Sequence, residues 1–153
     1  MKFTLYTKPV GQMRARACIR GRHAGTYKAK EQEQREQSLA ALLAEHRPPT
    51  PLEGPILLYV NCHFAIPSSK SKAWRQEALR GIVRPTTKPD ADNLAKHLKD
   101  VMTQVGFWHD DKQVVELVVR KWYSLQARWD VEVKRAEVAP VLWLGNARPE
   151  VAA

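Results

Sequence analysis

A single small domain of the α/β (α+β) class, built as a mixed β-sheet with flanking helices, is what three features of the sequence predict. Two-residue apolar alternation occurs near both ends of the chain, at Phe3 and Leu5 and again at Trp129, Val131 and Val133. A long apolar run, ILLYVNCHFAI, lies between them, and two stretches with helical character separate these strand-like segments. The 153 residues suffice for one domain with its own core and without disulfide or metal staples.

In chain order, residues 2–7 read as a strand ended by Pro9 and Gly11, with Phe3 and Leu5 on one face. Arg14, Arg16, Arg20 and Arg22 follow in a basic segment ended by Gly21 and Gly25, expected as a loop or irregular hairpin. Residues 29–45 are rich in Ala, Leu, Glu and Gln and read as a helix whose apolar side is Leu39, Leu42 and Leu43; its polar first half is expected on solvent. The segment RPPTPLEGP cannot continue that helix and links it, within the domain, to a strand at 56–66. That strand's first four residues do not alternate, which suits burial on both faces. His63 within it reads as a hydrogen-bonded structural residue.

A short helix carrying Trp74 and Leu79 is expected over 68–80, capped by Ser68 or Ser69. Two more strands, 113–123 and 128–134, are joined by a turn around 124–127; the second alternates cleanly. Residues 1–135 are expected to form the domain. Residues 136–153, with the apolar cluster Val141 to Leu144, form a C-terminal extension that packs on the domain or lies at a subunit interface.

The chemistry concentrates in residues 88–115, KPDADNLAKHLKDVMTQVGFWHDDKQVV. If 88–92 is extended, Asp90 and Asp92 point to one side and could share a cation. Asp92 or Asn93 suits an N-cap, and Leu94, Leu98, Val101, Met102 and Val105 form an apolar stripe ended by Gly106. Asp92, Lys96 and Asp100 then share roughly one helical face. A second acidic pair, Asp110 and Asp111, follows the glycine; spacing alone does not bring Asp111 back to Asp90 and Asp92. Carboxylates in this number suit a hard divalent cation, with lysine to balance a phosphate or a departing oxygen. The same residues also suit an ordinary cap, a solvated loop and a surface ion pair.

Net charge is +9, and eight Lys or Arg with no acid fall in residues 1–30. Six more against one acid precede the motif between Lys70 and Lys88. Such basic segments suit phosphate-backbone contacts, and Arg14, Arg16, Arg20, Arg22, Lys70, Lys72, Arg75, Arg84 and Lys88 are the candidates. Cys18 and Cys62 have no metal or redox spacing and are expected as reduced thiols. No apolar stretch has membrane length and no signal peptide is evident, so a cytoplasmic protein without membrane contact is expected. No glycine-rich phosphate loop points to an organic cofactor.

The pattern KPD-x-DNL-x-K-x-x-x-D followed by G-x-x-x-DD-x-QV, read at Lys88, Pro89, Asp90, Asp92, Asn93, Leu94, Lys96, Asp100, Gly106, Asp110, Asp111, Gln113 and Val114, resembles the signature of the RusA family of Holliday-junction resolvases. The resemblance in pattern and element order extends from about residue 3 to about 134. Ala91 departs from it, a larger apolar residue being common there. The resemblance implies a RusA-like fold with Asp90, Asp92 and Asp111 as magnesium-binding carboxylates, Mn²⁺ as a substitute ion, and Lys96 needed for cleavage. Asp100 and Asp110 become supporting residues around that site. It further implies a homodimer that resolves four-way DNA junctions by paired symmetric nicks. The competing readings are a nuclease for flaps, forks or duplex DNA, and a junction-binding protein without catalysis.

Overall fold

The alternating segments become strands, and the strands assemble in an order that sequence neighbours do not reveal. A computed structural model describes residues 1–12, 16–20, 23–27 and 30–136, with backbone alone for 16–20 and 23–27. Along the chain come β1 (Lys2–Leu5), β2 (Arg16–Arg20), β3 (His23–Tyr27), α1 (Lys30–Ala44), β4 (Ile56–Ala65), α2 (Lys72–Leu79) and α3 (Ala91–Val105). A 3-10 turn (Asp111–Gln113), β5 (Val114–Ser124) and β6 (Arg128–Arg135) follow.

Four strands form a mixed sheet in the order β1-β6-β4-β5. β4 and β5 run parallel, while β6 is antiparallel to both β1 and β4. A parallel pair needs a crossover connection, and α2 and α3 provide it between β4 and β5. β5 and β6 are joined through residues 125–127 yet do not pair, because β4 lies between them. The turn therefore spans the end of β4, where Ile66 N–H donates to the Ser124 carbonyl. β2 and β3 pair antiparallel as a separate two-stranded sheet, and Gly25, expected to end the basic segment, lies inside β3 opposite Cys18.

The core lies between one sheet face and the helices α1 and α3. Ile56, Leu58, Val60 and Cys62 of β4 are buried, whereas Leu57, Tyr59, Asn61 and His63 are half-buried on the other face. The strand is thus buried on one face, not on both as its apolar opening suggests. Trp129, Val131 and Val133 of β6 bury as their alternation predicts, against Leu39 and Leu43 of α1 and Leu94, Leu98, Val101 and Met102 of α3. Each such aliphatic chain contributes roughly 1.5–3 kcal/mol by leaving water.

The polar half of α1 lies on solvent as expected, with Glu31, Glu33, Gln34 and Gln37 exposed, except that Gln32 is buried, its amide donating to Glu36. One helix expectation is corrected. The α2 helix starts later than expected, capped by Ser71, whose hydroxyl accepts from Trp74 N–H. Ala78 is its buried residue, while Leu79 is exposed. No described helix is long and apolar enough to cross a membrane.

Candidate metal and DNA site

The N-terminal end of α3 begins two residues earlier than the sequence suggests. Asp90 is the N-cap, with extended backbone (φ −73°, ψ 155°), and the helix runs from Ala91. Asp92 therefore lies in the first turn, so the alternating placement expected for an extended 88–92 segment does not hold. Asp90 makes no capping bond with its own side chain, and both acids are exposed. The positive end of the helix dipole favours carboxylates here.

Asn93, an alternative cap in the sequence reading, has a different task. Its Oδ1 accepts from Gln12 N–H at 3.0 Å, and its Nδ2 donates to the Gln12 carbonyl at 3.2 Å. Gln12 Nε2 also donates to Asp100 at 3.1 Å. The segment after β1 is thereby fastened to two turns of α3. Gly11 allows this approach, since a Cβ there would stand 2.6 Å from Asn93 Nδ2.

The second acidic pair divides its labour. After α3, Gly106 adopts the left-handed conformation (φ 87°) that ends a helix without a Cβ penalty. Asp110 then caps the 3-10 turn, accepting from Lys112 N–H at 2.9 Å. Bonds from the backbone and side chain of Lys112 hold its carboxyl below the usual carboxylate range. Gln113 Oε1 accepts from His109 and Asp110 N–H, while its Nε2 donates to the carbonyls of Leu52 and Gly54. Asp111 is left to face α3, where Lys99 Nζ meets its Oδ2 at 2.9 Å.

Seven residues separate Asp92 from Lys99, two turns that return to one helical face about 10 Å further along the axis. Lys96 stands between them and is exposed. Asp111 is thus held against α3 by Lys99. Among the described residues, no group of three or more His, Cys, Asp or Glu is arranged to hold a metal ion.

A family model described as "Endodeoxyribonuclease RusA" matches residues 7–134, most of the chain. The chain belongs to the RusA family. It is 37% identical over 136 residues to "Uncharacterized protein YqaN" of Bacillus subtilis (strain 168), covering 88% of this chain and 95% of that one. It is 31% identical over 96 residues to "Crossover junction endodeoxyribonuclease rusA" of Lactococcus phage r1t, covering 63% and 68% respectively.

For a RusA-family chain the donor set is chemically apt. Asp90, Asp92 and Asp111 offer hard carboxylate oxygens of the kind Mg²⁺ selects.

The basic candidates occupy different settings. Lys70, Lys72 and Arg75 are exposed on and before α2, and Lys70 lies over the Trp74 ring at 5.1 Å. Arg84 is committed within the fold as well: its guanidinium stacks 3.3 Å from the Trp122 ring centre and its Nε donates to the Lys121 carbonyl at 2.6 Å. Lys88 is exposed and, with Asp90, lines a cavity of about 810 Å³. For Arg16 and Arg20 the backbone alone is described, and Arg14, Arg22 and the extension beyond Ala136 lie outside the described residues.

Sequence reasoning passed over Lys99 and Gln12, and read Gly11 only as a strand terminator. The heptad spacing of Lys99 from Asp92 was a usable signal. Nothing in the sequence ties residues 11–12 to a helix more than 80 positions away.

Proposed function

We propose that this RusA-family protein is a Mg²⁺-dependent endonuclease that resolves four-way DNA junctions. The supporting observation is an exposed carboxylate pair at the start of α3 in a chain matching the family over residues 7–134. The crossover-junction name carried by the phage relative favours the branched substrate over flaps, forks and plain duplex.

In this reading Asp90, Asp92 and Asp111 would hold Mg²⁺. Held there, the ion would supply Lewis acidity toward a phosphoryl oxygen and toward a water poised for in-line attack. Lys96, one turn beyond Asp92, stabilises negative charge on the phosphate or the departing 3′ oxygen. Asp110 positions Asp111 through the 3-10 turn, and Asp100 positions α3 through Gln12. A homodimer provides, through its two-fold axis, two nicks related by the junction's own symmetry. Lys70, Lys72, Arg75 and Lys88 hold the phosphate backbone in a salt-dependent way.

The test is cleavage of fixed and mobile four-way junctions beside linear duplex, in Mg²⁺ and in EDTA. Junction-selective, Mg²⁺-dependent paired nicks are expected. Asp90→Asn, Asp92→Asn and Asp111→Asn should each abolish cleavage and leave junction binding intact. An active Asp92→Asn protein sinks the metal assignment; equal cutting of duplex sinks the junction assignment.

A further inference from the structure

The 810 Å³ cavity lies at the carboxyl ends of the parallel strands β4 and β5, beside the start of α3. Ligands of open α/β sheets bind outside the carboxyl ends of such strands. Its size falls within the range of about 300–1,000 Å³ usual for small-ligand pockets. Its lining combines the rings of Phe64 and Tyr123 with the cations of Lys8 and Lys88 and of Arg35, which is paired with Glu31 on α1, and Asp90 is its acid.

That combination selects a ligand with a flat apolar face and negative charge. An isolated phosphate would have no use for two aromatic rings, and an apolar ligand none for three cations. A base pair inside a duplex cannot present its face to a ring. An unstacked nucleotide offers both features, because every base has a π-face and carries its phosphate a few ångströms away.

The walls are braced before any ligand arrives. Trp74 packs edge-on against Tyr123, with ring centres 5.1 Å apart. Lys121 Nζ lies 5.8 Å from the Phe64 ring centre and donates to the Thr87 carbonyl at 2.6 Å. Arg84, bonded to the Lys121 carbonyl and stacked on Trp122, ties the loop before α3 to the same strand. The opposite wall, residues 8–11, is fastened to α3 through Gln12 and Asn93.

We propose that this cavity is a subsite for one unstacked nucleotide of the cleaved strand, its base against Tyr123 and Phe64 and its phosphate toward Lys8 and Lys88. Asp90 belongs to the wall, so a strand held at the carboxylate pair places a neighbouring nucleotide here. This deepens the nuclease reading and rests on it. Discrimination between bases at the cut would then arise in this subsite.

The experiment uses the full chain in EDTA with four-way junctions carrying one 5-iododeoxyuridine at successive positions, followed by irradiation and peptide mapping. Crosslinks are expected at Tyr123 or Phe64 from a nucleotide at the branch point and not from the arms. Tyr123→Phe should retain them, whereas Tyr123→Ala should lower yield and junction affinity by roughly 5- to 150-fold, the range for loss of one stacked base. Lys8→Gln and Lys88→Gln keep the rings and should each flatten the salt dependence of binding. Crosslinks mapping elsewhere, arising equally from the arms, or undiminished in Tyr123→Ala overturn the subsite. Because no cleavage is involved, the two readings separate. Branch-point crosslinks without cutting in Mg²⁺ support the subsite and sink the nuclease, and cutting without crosslinks does the reverse.

Discussion

Replacing Gly11 by alanine tests whether the segment after β1 holds the leading carboxylates in place. A Cβ at this position meets Asn93 Nδ2 at 2.6 Å, Asn93 Cγ at 2.9 Å and the Pro89 Cβ at 3.1 Å. The first two contacts are too short to persist, so the Asn93 amide must move. Moving it breaks the two bonds to Gln12, at 3.0 and 3.2 Å. Each is worth about 0.5–1.5 kcal/mol, which places the loss at about 2 kcal/mol. For a chain of this size that is a fall of about 4–8 °C in Tm. Urea and thermal unfolding of Gly11→Ala, Asn93→Ala and the double variant would measure it. Asn93→Ala removes both the bonds and the obstructing atoms, so alanine at position 11 should cost much less in that background. A coupling of roughly 1–2 kcal/mol is expected between the two sites. Additive losses, or an unchanged Tm for Gly11→Ala, would refute the clamp. Cleavage of a junction by Gly11→Ala should fall alongside, since Pro89 and Asn93 flank Asp90 and Asp92.

Further outcomes follow from the same geometry. Lys99→Met removes the cation on Asp111, whose side chain is 42% exposed; stability should change by no more than about 1 kcal/mol, while Mn²⁺ affinity followed by electron paramagnetic resonance should shift, and an unchanged affinity would detach Lys99 from the site. Gln113→Ala loses its bonds to Leu52 and Gly54 and those from His109 and Asp110; a cost of about 2–4 kcal/mol is expected in urea unfolding, and a loss under 1 kcal/mol would show the turn to be held otherwise. Burial, and then Arg128, hold the His63 imidazole below its ordinary pKa despite Asp130 at 2.9 Å. The unfolded chain therefore takes up the proton first, so stability present above about pH 6.5 is lost as pH falls toward the folded value; His63→Gln should flatten that slope between pH 7.5 and 5.5, and an identical slope would remove His63 as its source. Burial pushes the Cys62 thiol up to about 12; in a Cys18→Ser background a thiol reagent should label the protein only after unfolding, and labelling of the native protein would contradict the packing of β4.

The sequence by itself determined the mixed α/β class, the helices near 30–44 and 91–105, the outer strands and the acidic signature. Apolar alternation at Trp129, Val131 and Val133 and the stripe from Leu94 to Met102 are local periodicities, and burial on one face follows from them directly. Tertiary structure decided the rest, because those features depend on which distant segments meet. The order that sets β4 between β5 and β6 cannot be read from strands joined by a three-residue connection. Asn93, a candidate cap by sequence, instead bonds Gln12 from the first turn of a helix that starts at Ala91. The division of Asp110 and Asp111 into a cap and a partner of Lys99 required the Gln113 anchor to the 52–54 loop. The aromatic and basic groove beside Asp90 comes from segments spread from Lys8 to Tyr123, none of which marks a site alone. A side chain's chemistry is written at its position, but its neighbours are chosen by the burial of a core that the whole chain builds together.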